Sequence, residues 1–185
     1  MAFFKGTPLT AKNGTNVIIR SASKDDAKHL IDLGKAIARE KIYTMTEVDE
    51  IPSDVSEEVK WIEEYLNNTN NLLLVAETDR KLIGVCDFKA GSRKRISHTG
   101  YLGLGVAKEF RGVGIGEFLL SILIEWAKAH ERIEKVCLTV HHGNDRAQAL
   151  YKKFGFVEEG VKRRDVKYSE QKYVDSILMA LFVKT

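Results

Sequence analysis

Apolar positions recur along this chain in two rhythms, and the rhythms predict its elements. Between residues 114 and 130, Ile115, Phe118, Leu119, Ile122, Leu123 and Trp126 return at three- and four-residue spacing, one broad apolar face of a helix. Ala27, Leu30, Ile31, Leu33 and Ile37 draw a similar stripe, opened by Ser23-Lys24-Asp25-Asp26, a capping-type serine with acids for the first turn. A second helix is predicted over about 56 to 67. A short one is predicted over 145 to 154, with Asn144 as N-cap and Gly155 as the stop. Apolar runs of strand length cover 72 to 77 and 82 to 88, joined by Thr78-Asp79-Arg80-Lys81, and 136 to 140 reads as a buried strand. A glycine-rich strand is predicted over 96 to 106, with Gly100, Gly103 and Gly105. Asn13-Gly14 signals a tight turn that folds an N-terminal strand onto Val17-Ile18-Ile19-Arg20, and two last strands fall near 156 to 166 and 172 to 183. Residues 43 to 55, polar and containing Pro52, read as a mobile loop. Strands, then strand-helix-strand-helix, then strands predict a mixed α/β (α+β) architecture.

No repeat, low-complexity tract or Pro/Gly-rich linker divides the 185 residues, so a single domain spanning 1–185 is expected, with its core at about 17–183 and residues 1–16 as a strand or hairpin extension. Composition changes little: 44% hydrophobic and 30% charged residues are ordinary for a globular chain, and a formal charge of +3 gives no case for nucleic acid as partner. The apolar stretches are shorter than the ~20 residues of a membrane helix. Met1-Ala2-Phe3-Phe4-Lys5 carries no charged leader ahead of an apolar core, and a cytoplasmic location is expected. Cys86 and Cys137 lie in apolar runs and are expected as buried free thiols. The glycosylation-like triplets at Asn13 and Asn67 are then expected to be turns alone. The five histidines and two cysteines show no metal-ligand spacing, so no metal is expected.

The informative segment is Arg111-Gly112-Val113-Gly114-Ile115-Gly116, set between a strand and the strongest helix. A helix N-terminus offers unpaired N–H groups and partial positive charge, a ready phosphate site. Glycines let a bulky anion approach the backbone, and Arg111 adds a charged donor. The dinucleotide fingerprint fails because these glycines run at intervals of two. A P-loop fails because Glu117 and Phe118 follow Gly116. What is met is [Q/R]-x-x-G-x-[G/A], by Arg111, Gly114 and Gly116. One helix and one strand later come Leu138-Thr139-Val140 and Asn144-x-x-Ala147-x-x-Leu150-Tyr151-x-x-Phe154-Gly155-Phe156. Together these two motifs, in this order, resemble the cofactor signature and later motif of the GCN5-related N-acetyltransferase (GNAT) superfamily. The resemblance covers residues 17 to 183. More loosely, Arg163-Arg164-Asp165 through Met179 looks like branches that acetylate protein N-termini or small amines.

The resemblance implies a GNAT-like fold, a central, mostly antiparallel twisted sheet flanked by helices, with splayed middle strands. It implies acetyl-CoA as cofactor, its pyrophosphate held by Arg111 and the backbone of Gly112, Val113, Gly114, Ile115 and Gly116. Leu104, Gly105, Val106 and Asn144 would flank the pantetheine arm; alternatively Gly103 and Gly105 only relieve crowding, and Asn144 also suits capping. Val106 N–H would steady the oxyanion. Tyr151, at the edge of the helix stripe Ala147, Leu150 and Phe154, would give its proton to the departing thiolate or simply pack. Relatives often carry a basic carboxylate on the strand before the turn, but 96 to 106 hold no Asp or Glu, which leaves His98, Tyr101 and His142. An acyl-cysteine is disfavoured by the apolar setting of Cys137.

The expected function is acetyl transfer to a primary amine of a small or amino-acid-like acceptor by direct attack in a ternary complex. Alternatives are a protein N-terminal or lysine acetyltransferase, and a non-catalytic acyl-CoA sensor. Glu47, Asp49, Glu50 and Asp54 suit either a cationic acceptor or a solvated flap, and Lys162-Arg163-Arg164 suits a solvated hairpin face better than RNA or the cofactor's 3′-phosphate. A homodimer is compatible with the sequence. Acceptor, general base, oligomeric state and acyl groups other than acetyl are not legible in it.

Overall fold

The computed structural model describes residues 4–184, so the leader reading at Met1-Ala2-Phe3 lies outside the described residues. The chain packs as two compact units: residues up to Lys89 with Gly103–Trp126, and Ala90–Leu102 with the residues from Ala127 onward.

In the first unit β1 (Thr7–Thr10), β2 (Asn16–Ser21), β3 (Leu72–Thr78) and β4 (Lys81–Ala90) pair antiparallel in chain order. Gly14, at φ +84°, makes the first turn as Asn13-Gly14 predicts. Between β3 and β4 the connection tightens to Asp79 and Arg80, both at positive φ (47° and 61°), because Thr78 pairs directly with Lys81. α1 (Ala27–Arg39) and α2 (Val55–Leu66) cover this sheet, burying Leu30, Leu33, Ile62 and Tyr65 against Leu73, Val75 and Leu82. The stretch predicted as loop contains order of its own: a 3-10 turn at Val48–Glu50, and Asp54, which accepts the Ser56 N–H at 2.8 Å and starts α2. α3 (Ile115–Ala129) buries Ile115, Leu119 and Leu123 along its predicted stripe. It lies close over β4: a Cβ on Gly84 would stand 3.0 Å from Leu119 Cδ1. Farther along, Trp126 meets Phe88 edge-on at 5.5 Å.

β5 (Thr99–Val106) contributes its last residues to the first unit and its start to the second. There Thr99–Tyr101 pair parallel with Lys135–Cys137 of β6 (Lys135–His141). β8 (Lys172–Phe182) pairs antiparallel with the whole of β6, and β7 (Val157–Ser169) pairs with β8 through three register shifts. β5–β6 is the parallel pair in this otherwise antiparallel set, as the mixed α/β reading requires. Between β6 and β7 lies α4 (Asp145–Lys153), ended by Gly155 at φ +87° as its sequence predicts. Cys86 and Cys137 are buried and unpaired, and burial pushes both thiols up.

A partly buried ion triad sets the entry to α1. The Arg20 guanidinium forks onto Asp26 Oδ1 and Oδ2 at 2.7 and 2.6 Å and donates to Glu77 Oε2 at 2.7 Å, tying β2, β3 and the helix start together. Asp26 Oδ2 also accepts the Ser23 N–H at 2.7 Å. Burial pushes the Asp26 carboxyl up, but Arg20 and the Ser23 amide outweigh it and hold the group below its usual range. A depressed folded value contributes stability above the ordinary aspartate range near ~4 and loses it as pH falls below that range. Arg20→Ala is therefore expected to lower stability by about 3 kcal/mol at pH 7, because Asp26 is left buried and unpaired. Urea unfolding at pH 7 and pH 3 checks this, and the deficit shrinks at the lower pH.

Candidate functional site

The glycine turn follows β5 directly. After a 3-10 turn at Lys108–Phe110 and an extended Arg111, Gly112 and Gly114 take φ of +84° and +101°, where any side chain is strained. α3 then begins at Ile115, and its first α-helical bond runs from Phe118 N–H to Gly114 O at 3.0 Å. The N–H groups of Ile115, Gly116 and Glu117 thus precede the helical ladder, at the positive end of its dipole. That arrangement can hold an anion. The N-terminal turn braces it: Lys12 N–H donates to Val113 O at 2.9 Å.

Arg111 is a pin within the protein. Its Nη1 and Nη2 donate bidentately to Glu40 Oε2 and Oε1 at 2.7 and 2.6 Å, and its Nε donates to Val106 O at 2.9 Å. The end of α1, the end of β5 and the glycine turn are fixed by this one guanidinium. Sequence reasoning found Arg111 but not Glu40, which lies 71 residues away.

Leu104, Gly105 and Val106 form the last half of β5, all half-buried. A Cβ on Gly105 would stand 3.0 Å from Ile37 Cδ1 and 3.5 Å from Val85 Cγ1, and one on Gly103 would overlap Asp87 Oδ1. The crowding at these glycines comes from protein atoms. Asp87 was not singled out in the sequence, although an acid inside the apolar run of 82 to 88 is itself a signal. It shares the α2-facing side of β4 with Val85, and its Oδ2 accepts the Tyr65 hydroxyl at 2.8 Å. Burial pushes the carboxyl above its usual range, against the Tyr65 bond, its own backbone N–H and Lys89.

The other predicted residues belong to the second unit. Asn144 Oδ1 accepts the Ala147 N–H at 3.2 Å, so it caps α4 as expected. Tyr151 departs from expectation: it is the buried residue of the helix, at 7% exposure, while Ala147, Leu150 and Phe154 are half-buried. A nine-residue helix has room for one deeply inserted side chain, and the ring of Tyr151 takes that place 5.7 Å from Phe156. Of the candidate bases, Tyr101 and His142 are exposed, and His98 is half-buried, its carbonyl accepting the Glu134 N–H. Arg163 pairs with Asp175 at 2.7 Å and Arg164 stacks on Tyr173 at 4.0 Å, both on the exposed β7–β8 hairpin. Among the described residues no group of three or more His, Cys, Asp or Glu could hold a metal.

The pattern of the Acetyltransferase (GNAT) family matches residues 30–156. The chain is 28% identical to the L-amino acid N-acetyltransferase AaaT of Escherichia coli (strain K12), over 90% of this chain and 98% of that protein. Its fold is similar to the crystal structure of an acetyltransferase of the GNAT family from Streptococcus pneumoniae, with a TM-score of 0.86 and 30% identity over 91% of this chain and 99% of the other. A GNAT superfamily phosphinothricin acetyltransferase from Sinorhizobium meliloti, in complex with acetyl-CoA, shares the fold at a TM-score of 0.78 and 20% identity, covering 94% of this chain and 89% of that one. The positive φ of Gly114 leads to a direct expectation: Gly114→Ala lowers stability by about 1 kcal/mol. It also weakens CoA binding about tenfold, as one misplaced charge-assisted hydrogen bond would. Denaturant unfolding and calorimetric titration with CoA measure the two effects.

Proposed function

The chain belongs to the acetyltransferase (GNAT) family as an N-acetyltransferase enzyme that uses acetyl-CoA, and we propose that its acceptor is the primary amine of a small, amino-acid-like molecule. The observation that carries this reading is the end-to-end similarity to an L-amino acid N-acetyltransferase. In this reading the backbone N–H groups of residues 112 to 116 take the pyrophosphate, and Arg111, tied to Glu40, keeps the turn in shape. Leu104, Gly105 and Val106, and Asn144 on the second unit, would contact the pantetheine arm, as the family resemblance implies. The neutral amine attacks the thioester carbonyl directly in a ternary complex, and the Val106 N–H steadies the oxygen as it gains charge.

Tyr151 gives its proton to the departing thiolate. Its buried ring, held against Phe156, loses little freedom on reaction, which favours an oriented donor. No cysteine serves as an acyl carrier in this scheme, because burial keeps both thiols protonated.

A panel of L-amino acids, other small amines and peptides, assayed for thiol release from acetyl-CoA, tests the acceptor class. Mass spectrometry of the product identifies the acylated nitrogen. Turnover of free amino acids is expected; turnover of peptides alone would move the acceptor to protein N-termini. Tyr151→Phe is expected to lower kcat about 100-fold with little change in the KM for acetyl-CoA. Wild-type turnover by that variant across the pH range would remove the role.

A further inference from the structure

Asp87 is a carboxylate with no cation bonded to it. Its hydrogen-bond donors are the Tyr65 hydroxyl at 2.8 Å and its own backbone N–H, and among the described residues it enters no ion pair. Lys89, two residues on, turns its ammonium to Glu64 at 3.0 Å. Tyr65 is itself fixed, 5% exposed and edge-on to Trp61 at 4.9 Å. Across the sheet Asp87 faces Leu73 on β3 and Gly103 on β5. Any side chain at 103 would displace Oδ1, so β5 is kept bare at this point. Three residues later on the same strand is Val106, and Gly105 and Leu104 lie between.

Asp87 is half-buried, and a carboxylate desolvated in this way is costly unless a charge or a proton comes to it. We propose that Asp87 receives the acceptor's ammonium and takes a proton from it, with Tyr65 as the positioning residue that aims the carboxylate. This rests on the chain acetylating an amine, and it holds for a small amine and a peptide N-terminus alike. The ammonium N–H bond breaks, an O–H bond forms on Asp87, and the freed electron pair makes the new C–N bond. The C–S pair leaves with sulfur, which is protonated as the nitrogen loses its second proton. The Asp87 proton then passes to solvent.

The titratable or charged groups around the carboxylate are Tyr65 and Glu64 on α2 and Lys89 and Cys86 on β4, while Leu73 and Gly103 carry none. Burial raises the Asp87 carboxyl, so the acid limb of kcat/KM is expected above the usual carboxylate range, with activity rising as Asp87 ionises. Asp87→Asn keeps the shape and removes the base. With whichever amine the wild-type protein turns over, amino acid or peptide, it is expected to lose 100-fold or more in kcat/KM and its acid limb. CoA binding and Tm stay unchanged, or Tm rises, because the amide removes the cost of desolvating a charged carboxylate. Gly103→Ala, which pushes Oδ1 aside, is expected to slow the wild type but not to slow Asp87→Asn further. Wild-type rate and acid limb in Asp87→Asn, or independent additive losses in the double variant, would overturn the proposal. Turnover of peptides alone would sink the small-acceptor reading and leave this comparison intact, run on the peptide.

Discussion

One guanidinium ties the glycine turn to the end of α1 and the end of β5. Arg111 holds the carboxylate of Glu40 at the end of α1 with two parallel bonds and the carbonyl of Val106 at the end of β5 with a third. Gly112 and Gly114 give the chain the freedom to enter left-handed conformations, and freedom of that kind is entropically costly to fix. The pin supplies the fixing. A lysine could satisfy the charge but not the planar three-way fork. The amide row at the start of α3 is thereby set on a rigid base before any ligand arrives, the usual requirement for preorganised electrostatics.

Two carboxylates in the first unit meet burial in opposite ways. Asp26 has Arg20 and an amide, stays ionised to unusually low pH and holds secondary structure together. Asp87 has a phenol and no bonded cation, and its carboxyl is pushed up. Their surroundings thus push two carboxyls of one unit in opposite directions. The phenol of Tyr65 is held protonated by burial and by Asp87, so it can only donate to the carboxylate.

Much of this was legible in the residues. The stripe Ile115, Leu119 and Leu123 is a periodic signal long enough to fix both the helix and its buried face, and Asn13-Gly14 and Gly155 name their own backbone angles. The glycine turn with the Asn144–Tyr151 segment identified the family because both motifs are local. What stayed hidden depends on pairing. No spacing rule joins Glu40 to Arg111, or Tyr65 to Asp87 across 22 residues, before the sheet order is known. β5 carries no carboxylate, and Asp87, on the neighbouring β4, fills the space left by the missing side chain of Gly103. The short helix misled for a simpler reason: over nine residues a stripe of Ala147, Leu150 and Phe154 is too brief to outweigh one large ring, and Tyr151 goes inside.

The outermost strands carry a further consequence. β1 is four residues long with Pro8 in it, and β7 is charged at Lys162, Arg163, Arg164, Asp165 and Lys167 and shifts register three times along β8. A strand with a free side is a template on which another chain can crystallise its own backbone. Proline removes a donor from one such template, while register shifts break the straightness of the other and its charged side chains disfavour a partner strand. Each edge strand thus offers a poor surface for an added strand.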